Sequence, residues 1–147
     1  MDRRHLLALG PIALVAAAAA SAASASEGGE KKDSSGQYVD LSPVAIPIIV
    51  DGKLINYVFT SVRLNLTPSA DSIKLRAKEP YFRDALVRAA HRTPFTNPKN
   101  YTVIDEGRLK SVMLREARAI GGAQNFVSVS VTSQTPKQRS GLPRPRA

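Results

Sequence analysis

The chain has 147 residues, 43% of them hydrophobic, and sets 21 Lys and Arg against 12 Asp and Glu for a formal charge of +9. That length holds one domain of ordinary globular composition once a targeting segment is set aside, and the charge favours anionic partners: nucleic acid, acidic lipid, wall polymer or an acidic protein face. Cysteine is absent, which excludes disulfides, thiol chemistry and cysteine-held metals.

Residues 1–25 read as a targeting segment. Arg3 and Arg4 precede an uncharged stretch from Leu6 to Ala25, and Ala23-Ser24-Ala25 matches the small-x-small pattern that signal peptidase needs, with the candidate cleavage after Ala25. The paired arginines followed by His5-Leu6-Leu7 resemble the twin-arginine export signal, with Asp2 standing where Ser or Thr is usual. The competing reading is an uncleaved anchor, because about 20 apolar residues cross a bilayer. The second half of that stretch is mostly Ala, which adds little insertion energy. In both readings the arginines stay cytoplasmic and the body is periplasmic, either exported or tethered to the inner membrane by residues 6–25. Beyond the leader the chain carries 19 cations and 11 carboxylates, +8. Residues 26–37 (SEGGEKKDSSGQ) have no side chain able to pack and read as a flexible linker.

The folded part is expected to begin near Tyr38. Two apolar, β-rich runs flank Asp51-Gly52, a dipeptide suited to a two-residue hairpin turn because Gly takes a positive φ cheaply. The first strand is expected over 44–50. Pro43 and Pro47 lack backbone donors, so it should lie at a sheet edge or bulge at Pro47. The second strand is expected over 53–66. Leu54, Val58, Val62, Leu64 and Leu66 share one face, and Ile55, Tyr57 and Phe59 occupy the other, so half of the strand reads as covered on both sides. Each such side chain contributes about 1.5–3 kcal/mol when buried. A lone hairpin is still marginal, so helices or further strands must cover it.

Asp71 can cap a helix. The run 72–92 is helical in composition but is interrupted by Pro80, and a proline costs about 3 kcal/mol inside a helix and almost nothing in its first turn. The expectation is a short turn over 72–78 and a firm helix over 80–91, with one kinked helix as the alternative. Leu75, Phe82, Leu86 and Ala89 recur at helical spacing. Residues 93–102 form a loop that can tuck in Phe95 and Tyr101. Asp105 can cap the next helix, 106–120, whose apolar stripe is Leu109, Val112, Met113, Ala117 and Ile120. Glu106 and Lys110 are spaced for a surface pair, and Gly121-Gly122 suits the helix end. Residues 125–133 (NFVSVSVTS) alternate, with Val127, Val129 and Val131 pointing one way. The tail 134–147, with three prolines and Lys137, Arg139, Arg144 and Arg146, reads as disordered.

No residue set carries a reaction. His91 is the one histidine beyond the leader, and no Gly-x-Ser-x-Gly elbow or partnered nucleophile accompanies it; a lone His near a helix end more often offsets the helix dipole or faces water. No His, Asp and Glu have metal-ligand spacing, adjacent Asp105 and Glu106 make a poor chelating pair, and no glycine-rich phosphate loop is present. The expectation is therefore no catalytic residue, no cofactor and no metal. Lys74 and Lys78 lie one turn apart, as do Arg88 and Arg92. On an unbroken helix the four would share an anion-facing patch, against the plainer reading of a solvated helix face. An exported protein is a poor partner for nucleic acid. The basic tail could instead touch acidic lipid headgroups or wall polymers, at about 1 kcal/mol per cation near a charged bilayer. Asn65-Leu66-Thr67 and Asn100-Tyr101-Thr102 fit the glycosylation sequon and, behind a bacterial-looking leader, read as chance.

Tyr38-Val39-Asp40-Leu41 ahead of a hairpin, followed by Glu79-Pro80-Tyr81-Phe82-Arg83-Asp84-Ala85-Leu86, resembles the flagellar basal-body-associated FliL family. That family shows an extended YVxL-like start to its domain, a helix with a P-x-apolar-R-D-A-apolar pattern, a second helix with an early leucine, where Leu109 stands here, and a closing Val- and Phe-rich strand, where residues 125–131 stand. The resemblance covers about residues 38–133. It implies a stomatin/prohibitin-like periplasmic domain, a non-enzymatic scaffold that forms homo-oligomeric rings around the flagellar stator. The fold expected is α+β, with an antiparallel sheet made of an N-terminal β-hairpin plus a C-terminal strand packed on two helices in β-β-α-α-β order.

Overall fold

The computed structural model describes residues 36–146. The leader, its candidate cleavage site after Ala25 and nearly all of the linker lie outside them. Strands β1 (Tyr38–Val50), β2 (Lys53–Leu66) and β3 (Phe126–Pro136) form one antiparallel sheet in the order β1-β2-β3. Between β2 and β3 run α1 (Ser72–Ala77), α2 (Glu79–Arg92) and α3 (Glu106–Gly121), and a 3-10 turn at Ala123–Asn125 leads into β3. The architecture is thus α+β with two substantial helices on a three-stranded sheet, in the expected β-β-α-α-β order.

The hairpin turn places Asp51 and Gly52 at φ 50° and 73°, both left-handed, the pattern whose twist matches that of the flanking strands. β2 is central and keeps one buried parity from Asn56 to Leu66. Asn56, Val58, Thr60, Val62, Leu64 and Leu66 are all buried under the helices. Leu54 has the same parity, but a register slip that makes Ile55 the extra residue sets it opposite Ile49, and it is 51% exposed. The opposite face is open: Phe59 is exposed, and Ile55 and Tyr57 are half-buried. The expectation of cover on both sides of this strand is therefore corrected, because all three helices go to one face.

The two edge strands reach the same face by bulging. β1 begins at Tyr38, six residues before the expected 44. Its register slips between Leu41 and Val44, so an extra residue in the Ser42-Pro43 region flips parity and lets Val39 and Leu41 join Val44, Ile46 and Ile48 inside. β1 is an edge strand, as its prolines require, but Pro47 pairs in register with Tyr57 and the bulge lies at Pro43. In β3 the slip between Asn65 and Leu66 makes Val127 the extra residue. Phe126 and Val129 are buried while Val127 is 57% exposed, so the expectation that Val127 shares a face with Val129 and Val131 is corrected.

Pro80 separates α1 from α2 by the single residue Lys78, and it occupies the first turn of α2, where its missing N–H costs nothing. Asp71 and Asp105 cap α1 and α3, their carboxylates accepting from the amides of Lys74 and Arg108, each at 3.1 Å. Phe82, Leu86 and Ala89 of α2 and Leu109, Met113 and Ala117 of α3 enter the core with Leu75, Phe95 and Tyr101. The edge of β1 is dressed by side chains at two points. Glu79 Oε1 accepts from the Ser42 amide at 2.9 Å, and Thr96 Oγ1 bonds both the amide and the carbonyl of Ile49.

The segment read as a disordered tail differs from that expectation. β3 runs on to Pro136, the Lys137 amide donates to the Tyr57 carbonyl at 2.8 Å, and Leu142 packs against the core.

Candidate functional site

The four cations of the expected helix patch do not assemble. α1 and α2 are separate helices split at Lys78, and the Lys74 ammonium lies 3.6 Å from the carboxylate of its own cap, Asp71. Lys78 Nζ donates to the carbonyl of Ile120 at the end of α3, where the helix dipole is negative. Arg88 pairs with Asp84 at 2.7 Å, one turn back on α2. Arg92 lines a shallow 150 Å³ cleft between α2 and α3 with Ala89, Val112, Arg115 and Glu116. His91 is exposed at the end of α2, its Nδ1 2.8 Å from the Val87 carbonyl oxygen. Among the described residues no group of His, Asp and Glu is placed to hold a metal ion.

The carboxylates show where charge is left over. Residues 36–146 hold 17 cations and 8 carboxylates, so the folded part carries the full surplus of +9. Every one of those carboxylates is engaged. Asp40 takes a two-point bond from Arg63, whose guanidinium also lies 3.9 Å over the Tyr38 ring. Asp71, Asp84 and Asp105 serve as described, and Glu79 holds the β1 bulge. Glu106 pairs with Lys110 at 3.1 Å, Glu116 with Arg115, and Asp51 with Arg146 at 3.2 Å.

The turn end of the hairpin is the most elaborated surface. Its centre is Asn56, 4% exposed and fully satisfied. Its Nδ2 donates to the carbonyls of Tyr101 and Gln138, and its Oδ1 accepts from the amides of Tyr57 and Gln138. One side chain therefore clasps β2, the 93–105 loop and the C-terminal segment. Arg146, paired with Asp51, also lines a 240 Å³ cavity with Ile49, Val50, Thr96, Pro98 and Tyr101. A second cavity of 140 Å³ is lined by Leu54, Ile55, Asn56, Tyr57, Lys137 and Gln138, with the Lys137 ammonium 6.0 Å from the Tyr57 ring centre. Sequence reasoning passed over this site. The available signal was Asn56 itself, an amide at a core-facing position of an otherwise apolar strand face, which must find buried partners.

The other open feature is a 430 Å³ cleft at the start of β1, lined by Tyr38, Val39, Asp40, Arg76 and Glu79. Across the exposed sheet face, Asn65 Nδ2 reaches the hydroxyls of Ser128 and Ser130, each at 2.9 Å. Asn65 of the first sequon is thus spent on the sheet. Among the described residues no helix is long and apolar enough to cross a membrane; residues 6–25 lie outside them. No protein-family model matches the chain, and no curated protein matches it in sequence.

Proposed function

We propose that this chain is a non-enzymatic cell-envelope interaction protein of the FliL-like kind, periplasmic and either exported or held at the inner membrane by residues 6–25, oligomerising and gripping protein partners of the flagellar stator. The observation that carries the reading is the export leader joined to a hairpin and to the helix bearing Arg83-Asp84-Ala85-Leu86. The packing of that block is consistent with it: Ala85 and Leu86 are buried, and Arg83 and Asp84 face out. Motility and stator recovery in a deletion strain test the proposal. Impaired swimming, with stator components recovered on the tagged protein, is the expected result; normal swimming with no stator component recovered rejects the flagellar part.

A second reading, a periplasmic binding module of unrelated role, is favoured by one observation: five cations without a carboxylate partner among the described residues, Lys53, Lys99, Lys137, Arg139 and Arg144, lie around the turn end of the hairpin. Co-sedimentation of the protein with cell-wall material or anionic vesicles, in cells or extracts lacking flagella, separates it from the first.

A further inference from the structure

The turn end of the hairpin brings together Lys53, Lys99, Lys137, Arg139, Arg144 and Arg146 from three separate parts of the chain. Lys53 opens β2 opposite Val50. The Asn56 clasp fixes Gln138, and with it the cations on either side. The pair to Asp51 fixes Arg146, and the cavity that Arg146 shares with Pro98 brings Lys99 to the same end. Asp51 is the carboxylate of this end, and Arg146 already occupies it. Lys53, Arg139 and Arg144 have no carboxylate partner among the described residues. Among these charges sits exposed apolar surface: Leu54 is 51% exposed and shares its cavity with Ile55, Tyr57 and Lys137.

We propose that this end docks on an anionic lipid bilayer, with Leu54 at the acyl boundary and the surrounding Lys and Arg among the headgroups. The argument is charge complementarity with an added apolar contact. A soluble polyanion would use the cations and leave Leu54 and Ile55 in water, whereas a bilayer surface takes both, since interfacial binding grows with buried apolar area as well as with charge. Long cationic side chains lie along apolar surface while their heads stay at the charged layer. The proposal rests on the envelope reading above for its location, not on the stator role.

The absence of cysteine permits a reporter at one position. Full-length chains carrying Leu54→Cys or, at the far end of β2 beyond Leu66, Ser69→Cys are labelled with nitrobenzoxadiazole and mixed with phosphatidylcholine vesicles with and without phosphatidylglycerol. Both labelled chains retain the leader, so any insertion by residues 6–25 is common to the two. The expected result is a blue shift at position 54 on the phosphatidylglycerol vesicles alone, weakened by salt, and none at position 69. Each cation near an anionic bilayer is worth about fivefold in partition, so Lys53→Gln, Arg139→Gln and Arg144→Gln together should lower it about a hundredfold. Absence of the shift at 54, an equal shift at 69, unchanged partition of the triple variant, or retention on wall material with none on vesicles would each overturn the proposal. Stator recovery on the same triple variant keeps the two proposals apart, since loss of vesicle binding with stator recovery intact removes one and leaves the other.

Discussion

The two ends of the β1–β2 hairpin solve the same problem, holding the helical layer on the sheet, with different chemistry. Away from the turn the contacts are apolar. Leu66, Leu75, Phe82 and Phe126 are all nearly inaccessible, and the rings of Phe82 and Phe126 meet edge-on at 5.6 Å. At the turn the joint is Asn56, one amide making four hydrogen bonds to three parts of the chain. Apolar packing is non-directional and scales with the area removed from water. A buried amide gives little net stability when satisfied but is costly when one partner is lost. The first end therefore holds the fold together, and the second sets where a loop and the C-terminal segment lie.

The comparison is tested most severely at Phe82. Phe82→Ala removes the ring that α2 sets against β3, and core Phe→Ala changes cost about 3–5 kcal/mol. The expected outcome in urea unfolding is a large drop in midpoint at unchanged slope, for the full chain. A smaller loss than that of Asn56→Leu would reverse the assignment of roles.

Gly121 probes the same end from the opposite direction. A Cβ there would lie 2.7 Å from the Phe126 ring and 2.8 Å from Leu75 Cδ2, so both must give way or the helix end must shift towards the more yielding of them. Phe126 is pinned by Phe82, and overpacking of this kind costs about 1–3 kcal/mol. Gly121→Ala should therefore lower the urea midpoint, and pairing it with Leu75→Ala, which vacates the space, should make the two changes less than additive. Strict additivity would show that Leu75 is not the obstruction.

Asn56→Leu should act at the turn end alone. The amides of Tyr57 and Gln138 lose their acceptor and the Tyr101 carbonyl loses a donor. Orphaned groups cost about 1–3 kcal/mol when sealed from water; Gln138 is exposed, so the loss should fall at the lower end of that range. Amide exchange should quicken at Tyr57, Lys137 and Gln138 while Leu64 and Leu66 stay protected. Equal quickening at both ends would mean that the hairpin opens as one unit.

How far the sequence disclosed these two ends follows from the range of the interactions. β2 was legible from Asn56 to Leu66 because it is central and the bulges against it there lie on its neighbours, so period two survives; its own slip at Ile55, next to the turn, was not. The caps Asp71 and Asp105 were legible because capping is local. The bulges at Ser42-Pro43 and Val127 were not, since each is a slip against a neighbour that composition does not identify. The same holds for residues 134–138: polar and proline-bearing, they read as tail, yet they pair with the outer part of β2 across a long separation in sequence. The four-cation helix patch failed for a local reason that was visible, the Pro80 break, which redirected Lys74 and Lys78. The Asn56 clasp required knowing that the 93–105 loop and the C-terminal segment arrive beside one strand.

The smallest effect belongs to Asp71, outside both ends, and its sign is fixed by the cap. The backbone amide of Lys74 donates to its carboxylate and, with the nearby ammonium of Lys74, holds its pKa below the ordinary 3.8. Lowering in the folded state means that the ionised cap stabilises α1 at every pH above about 3.8, and that this contribution fades as pH falls through the lowered value. Asp71→Asn keeps an acceptor oxygen for the Lys74 amide and removes the charge. Measured as urea midpoint against pH, the variant should lie slightly below the parent near neutrality and converge with it in acid, because protonation removes the same charge from the parent. A gap that persists at low pH would assign the effect to hydrogen-bond geometry and not to charge.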